Sequence, residues 1–217
     1  MSAQRTTKGN IGIVYLFTND LYENERTYKF GNTIDPFERN RVQKNSTPPT
    51  YPFKYKIVVF SSFFKQIEKQ LKNKFNQLGI LLEGRGKGGG SEWVQDDYQS
   101  ILKVFKSVLL DFPDAVMCCN NKCYQIKNGN LETRPRPNCR LDILGILDGK
   151  KIKCTKNNKS FIVKDNGILV NGSVTSLSNY MTQNFQRKGK TNQYDGYKYF
   201  KYKGTVIYEL WQKLVNI

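Results

Sequence analysis

The chain has 217 residues, room for one large domain or two small ones, and carries 35 Lys and Arg against 18 Asp and Glu, a net charge of +17. So large an excess attracts a polyanion, nucleic acid first and an anionic membrane second. Histidine is absent, which excludes His-Cys zinc fingers, Ser-His-Asp triads and His-containing nuclease motifs; a catalytic base must then be Tyr, Lys, a carboxylate or metal-bound water.

The charge is uneven. Residues 1–119 carry 17 basic and 12 acidic groups, whereas residues 120–217 carry 18 and 6. The C-terminal half is therefore expected to be the stronger electrostatic anchor. Hydrophobic residues at 38% and aromatics at 13% argue against wholesale disorder. No apolar run reaches the ~18 residues of a membrane span, and MSAQRTTKGN has no apolar segment of a secretory signal. The expectation is an intracellular protein, in the cytoplasm or nucleus of a host cell, with no membrane partner. The five cysteines are irregularly spaced and lack a paired C-x2-C. They read as free or buried thiols in a reduced compartment, with four-thiolate zinc the weaker alternative.

In chain order, Ile11 to Thr18 is dense in β-branched and aromatic residues and reads as a strand. Asn19 to Glu25 reads as a polar connection, and Thr27 to Phe30 as the returning strand of a hairpin. Asp35-Pro36 is a helix start, with Asp as the N-cap and Pro at the first helical position. Arg39 follows on that helix. Tyr55 to Phe60 is a third strand. From Phe63 or Phe64 to Leu78, the spacing of Phe64, Ile67, Leu71, Phe75 and Leu78 predicts an amphipathic helix. Glu68 falls roughly 20° from Phe75 on that helix, so a carboxylate borders the buried stripe and needs a partner.

Gly79 to Gly90 is a glycine-rich loop. It is not a P-loop, because Lys87 is followed by Gly88 and no strand precedes it. Ser91 to Val94 is a short extended piece, and Asp96 to Leu110 has helical spacing. Residues 111–140 look like a junction punctuated by Pro113, Asn120-Asn121, Asn128-Gly129 and RPRPN, with a short strand at Cys123 to Ile126. Beyond Leu141 the texture changes to short strands at Lys151–Thr155, Phe161–Lys164 and Ile168–Val170. A helix capped by Ser176 or Ser178 follows, then a hairpin of Tyr197–Tyr202 and Thr205–Tyr208, and a closing helical turn. The expected architecture is α/β (α+β): a small antiparallel three-stranded sheet flanked by helices, then a second small β-rich α+β domain. The expected boundaries are a tail at 1–10, a first domain at 11–112, a junction at 113–140 and a basic domain at 141–217.

With Gly12-Ile13-Val14-Tyr15, Tyr28-Lys29-Phe30-Gly31, Arg39, Glu68 and Glu92-Trp93-Val94 in this order, residues 11–108 resemble the GIY-YIG nuclease superfamily. The closer likeness is to its branch in phages and large DNA viruses, often labelled simply as a DNA-binding domain. In that pattern Lys29 stands where a tyrosine is usual, and the final asparagine of the family has no counterpart. The resemblance implies phosphodiester hydrolysis with one Mg²⁺ or Mn²⁺. Tyr15 would activate water, Lys29 would orient it, Arg39 would neutralise the phosphate and Glu68 would hold the metal. A free tyrosine titrates near ~10, so Tyr15 as a base needs help from a neighbouring charge. Taken one at a time, these residues also fit a strand aromatic, a solvated lysine, a surface pair and an i,i+4 pair of Glu68 with Lys72.

DGKKIKC, NGILVNGSVTSLSNYM and DGYKYFKYKGTVIYELWQKL are similar to the domain associated with restriction adenine methylases, which implies DNA binding. The residues expected to touch nucleic acid are Arg41, Lys44, Arg85, Lys87, Arg187, Lys188, Lys190, Lys198, Tyr199 and Lys201. Tyr197, Tyr199, Phe200 and Tyr202 also fit a hairpin core, with Lys198, Lys201 and Lys203 facing water. The expected function is a metal-dependent endonuclease acting on duplex or branched DNA. The alternatives are a non-catalytic DNA-binding protein on the same scaffold and a structural protein that condenses nucleic acid.

Overall fold

The computed structural model describes residues 11–39, 51–82, 92–185 and 194–217. The first part builds β1 (Gly12–Thr18), α1 (Asp20–Asn24), β2 (Thr27–Thr33), a helix α2 whose described residues are 36–39, and β3 (Lys54–Ser61). It continues through α3 (Phe64–Gln77), β4 (Leu81–Leu82), β5 (Trp93–Gln95) and α4 (Tyr98–Leu109). Then come β6 (Val116–Cys119), β7 (Lys122–Lys127) and β8 (Asn130–Arg134). Every pairing in this sheet is antiparallel, in the order β4-β5-β2-β1-β3-β6-β7-β8.

The fold class is mixed α+β with antiparallel sheets, as expected. The three anticipated strands are the centre of an eight-stranded sheet. The segment read as a junction holds three of those strands. Its Asn120-Asn121 and Asn128-Gly129 turns, all at positive φ, connect hairpins and do not end the domain's sheet. The polar connection after β1 is also corrected. Asn19 accepts from the Tyr22 N–H at 2.9 Å and caps a five-residue helix.

The second sheet is antiparallel with the order β12-β11-β10-β9-β13-β14. Its strands are β9 (Lys151–Cys154), β10 (Ser160–Lys164), β11 (Gly167–Val170), β12 (Ser173–Thr175), β13 (Phe200–Tyr202) and β14 (Thr205–Val206). Between them α5 (Leu177–Asn184) is capped by the Ser176 hydroxyl, which accepts from the Asn179 N–H at 3.1 Å. A 3-10 turn, Gly196–Tyr199, replaces the start of the expected hairpin, and α6 (Ile207–Val215) is longer than the expected turn. The helix buries Ile207, Leu210, Trp211, Leu214 and Val215, the first and last of them on its added ends.

Strand alternation divides the core. Val14, Leu16, Ile57, Val59, Met117 and Cys119 face α3 and α4. Ile13, Tyr15, Phe17, Val58, Phe60, Val116 and Cys118 face the other way, into a cluster that runs on through Leu144, Ile152, Phe200, Leu210 and Trp211. Phe60 meets Trp211 at 5.6 Å and Phe37 meets Tyr202 at 5.1 Å between ring centroids. Losing a packed aromatic such as Trp211 costs about 3–5 kcal/mol. Deleting the C-terminal half would therefore strip the central sheet as well as remove charge.

The expectation of five reduced thiols is corrected. Cys118 and Cys123, opposite one another on β6 and β7, form a disulfide, while Cys119 and Cys154 are free and buried and Cys139 is free and half-buried. No group of three or more metal-ligating Cys, Asp or Glu gathers among the described residues. None of their helices is long and apolar enough to cross a membrane.

Gly145 shows how closely the two parts meet. Its φ is +73°, and a Cβ there would sit 2.4 Å from the Ile34 carbonyl oxygen and 2.7 Å from Asp35 Cα, at the entry to α2. Gly129 has a similar φ of +74° with nothing within 4 Å. Gly129→Ala therefore carries only the backbone penalty, about 1 kcal/mol, whereas Gly145→Ala adds a clash with main chain and is expected to cost about 2–3 kcal/mol. Chemical denaturation of the two variants measures the difference; equal losses would mean the approach at Ile34 relaxes freely.

Candidate active site

Tyr15 lies in the middle of β1, opposite Gly31 of β2. A Cβ on Gly31 would stand 2.8 Å from the Tyr15 hydroxyl oxygen, 3.2 Å from Cζ and 3.6 Å from Glu92 Oε2. Glycine is required here because the phenol and a carboxylate flank the space a side chain would fill. Glu92 reaches this point because its carbonyl accepts the Phe30 N–H at 2.9 Å, which stitches the start of β5 to β2.

Arg39 arrives from α2. Asp35 Oδ1 accepts the Glu38 N–H at 2.9 Å, and the Asp35 carbonyl accepts the Arg39 N–H at 3.1 Å. This is the N-cap anticipated from Asp35-Pro36. The guanidinium carbon lies 5.6 Å from the centroid of the Tyr15 ring, a cation–π contact. Glu68 is half-buried on α3, and its Oε2 accepts from Asn32 Nδ2 at 2.5 Å. That bond supplies the partner a carboxylate beside the apolar stripe needs.

Electrostatics couple these groups. Burial raises the Glu68 carboxyl above its ordinary value of 4.5, the Asn32 hydrogen bond lowers it, the Glu92 charge raises it and Lys72 lowers it. Burial pushes the Tyr15 hydroxyl well above the tyrosine range; Arg39 pulls it down, while Glu92 and Glu68 push it further up. Tyr15 is fully buried and its hydroxyl has no hydrogen-bond partner among the described residues. So placed, it is a neutral donor and a poor base. Tyr55 of β3 stands beside it, edge-on at 5.8 Å, with its own buried, unpartnered hydroxyl.

Of the residues expected at the site, Tyr15, Arg39 and Glu68 come together electrostatically. Lys29 shares the Tyr15 face of the sheet but lies over the Trp93 ring at 5.7 Å. Glu92 and Asn32 were given no role from the sequence. Glu92 lies 24 positions after Glu68, beyond any helical or strand spacing, and its one signal was the Glu-Trp pair.

Of the expected nucleic-acid contacts, Arg41, Lys44, Arg85, Lys87, Arg187, Lys188 and Lys190 lie outside the described residues. Lys201 is exposed on β13. Lys198 is 3.5 Å from Asp195 and lies over the Tyr208 ring at 4.7 Å. Tyr199 is half-buried, edge-on to Tyr194 and under Lys156. Phe200 and Tyr202 are core residues, which agrees with the hairpin-core alternative for those two rings.

Residues 12–109 match the family model of the T5orf172 domain. No curated protein and no solved structure matches the chain. The match corrects the family assignment made from the motifs: the family found is T5orf172, a separate one, and not the GIY-YIG nuclease superfamily. It ends at residue 109, so the likeness of the C-terminal half to the methylase-associated domain is withdrawn as well. A T5orf172 domain suggests a nuclease-like or DNA-binding domain. The roles of individual residues accordingly rest on the geometry above.

The raised Glu68 carboxyl has a measurable consequence. A carboxyl whose folded value exceeds its unfolded one favours folding fully below the unfolded value, and that contribution is lost as pH rises through the folded value. In chelator, Glu68→Gln is expected to match wild type in thermal stability below about pH 4 and to exceed it at pH 7. A variant less stable than wild type at pH 7 would show that the ionised Glu68 is instead a net stabilising partner of Asn32 and Lys72.

Proposed function

We propose that the protein is a divalent-metal-dependent endonuclease that hydrolyses DNA phosphodiester bonds, with the basic C-terminal half helping to hold the DNA. The observation that carries this reading is the convergence of Arg39, Glu68 and Glu92 around the Tyr15–Gly31 pair, in a chain of net charge +17. Two carboxylates close enough for one to raise the other's pKa suit a hard cation with oxygen ligands. A Mg²⁺ or Mn²⁺ held by Glu68 and Glu92 would acidify water and neutralise charge on the phosphate.

The remaining work falls to the chain itself. Arg39, half-exposed and permanently charged, is placed to grip non-bridging phosphate oxygens through its planar fork. Asn32 fixes the carboxylate of Glu68. Tyr15 supports the guanidinium with its ring, which makes it a positioning residue in place of the base first expected. DNA binding without cleavage is the second reading, and the complete burial of Tyr15 favours it.

Cleavage of labelled duplex and branched DNA with Mg²⁺ or Mn²⁺ tests the proposal. Glu68→Ala is expected to fall to background, and Arg39→Ala to lose about 10²–10³-fold, the usual scale for one electrostatic donor. Tyr15→Phe keeps the ring and is expected to lose less than about tenfold; a loss of about 10²–10⁴-fold would return the base role to Tyr15. Wild type and Glu68→Ala cutting equally poorly while both still shift DNA would sink the enzyme reading.

A further inference from the structure

We propose that the groove between the end of β2 and the start of α3 is a track for the DNA phosphodiester backbone, leading it to the carboxylate pair. The inference rests on the DNA-cleaving reading above and names a surface that reading does not include. The groove encloses about 790 Å³ and is lined by Asn32, Thr33, Ser62, Lys65, Gln66 and Lys69, among others.

One wall belongs to both places. Asn32 lines the groove and donates to Glu68. A strand lying in the groove is thus one side chain away from the carboxylate. At about 100° per residue, Lys65, Lys69 and Lys72 fall within roughly 60° of one another on α3, with Glu68 at the edge of that arc. Lys65 and Lys69 are both exposed and have no ion-pair partner among the described residues; the contact of Lys65 is the Phe64 ring at 5.9 Å.

The acidic group at this end is already engaged. Asp114 accepts from Ser61 Oγ and from the N–H and Oγ of Ser62. Ser62 is therefore spent, and the donors left for an anion include the Lys65 and Lys69 ammoniums, the Gln66 amide and the Thr33 hydroxyl, which accepts from the Asp35 N–H. An unpaired pair of ammoniums one turn apart, beside a site that must receive a phosphodiester, matches the repeating charge of a nucleic-acid backbone.

Binding of a fluorescent duplex, followed by anisotropy in chelator across a salt series, tests the track without any cleavage. Each lost phosphate contact reduces the slope of log affinity against log salt by about 0.9, so Lys65→Gln with Lys69→Gln is expected to flatten it by roughly 1.8. The charge-matched control, Lys103→Gln with Lys127→Gln, is expected to keep the wild-type slope. An unchanged slope in the groove variant, or an equal loss in the control, overturns the track. Wild type cutting no better than Glu68→Ala in Mg²⁺ or Mn²⁺ would overturn the nuclease reading whatever the slope does, so the two failures are distinguishable.

Discussion

The structure depends on one strand being covered on both faces. All seven residues of β1 are buried. Val14 and Leu16 pack under α3 and α4, while Ile13, Tyr15 and Phe17 pack into the cluster that reaches Trp211. Apolar burial of this kind is the main favourable term in folding. It needs two partners for one strand, which is why the C-terminal half is more than a charged appendage. The same double cover takes the Tyr15 hydroxyl away from water and changes what that residue can do. A phenol meant as a base would need its anion stabilised; here burial and two carboxylates oppose that, with Arg39 alone pulling the other way.

The chemistry then shifts from the tyrosine to the charges around it. Glu68 and Glu92 repel each other and both disfavour the phenolate, so the local field is short of positive charge apart from Arg39 and Lys72. Under the proposed function a divalent cation would relieve that imbalance, and a phosphodiester brought in along α3 would meet cations before it met carboxylates. On this view the arginine and the acids are the working groups. Tyr15 and Asn32 hold them in place, and Gly31 leaves the room in which they meet.

Much of this was legible in the sequence where a local rule governs. β-branched and aromatic density marked β1 and β3, Asp35-Pro36 marked the start of α2, and the three-and-four spacing of Phe64, Ile67, Leu71 and Phe75 marked α3 and put Glu68 at its border. What escaped depends on tertiary pairing. Val116–Cys119 is only four residues long and sits among Pro and Asn, so nothing local shows that it adds to the edge of β3. The role of Glu92 appears only once β5 pairs with β2, and that of Asn32 only once α3 places Glu68 beside it. The burial of Tyr15 escaped for the same reason, because the cluster it packs into is assembled from strands and helices of both halves of the chain.

The central claim is that Glu68 and Glu92 form one cation site next to Arg39. Titration with Mn²⁺, followed by the loss of its free-ion electron paramagnetic resonance signal, measures that directly. The account predicts one saturable site in the wild-type protein, weakened in Glu68→Gln and in Glu92→Gln alone and absent in the double variant. No saturable binding in wild type, or binding undiminished when both carboxylates are neutralised, would contradict it.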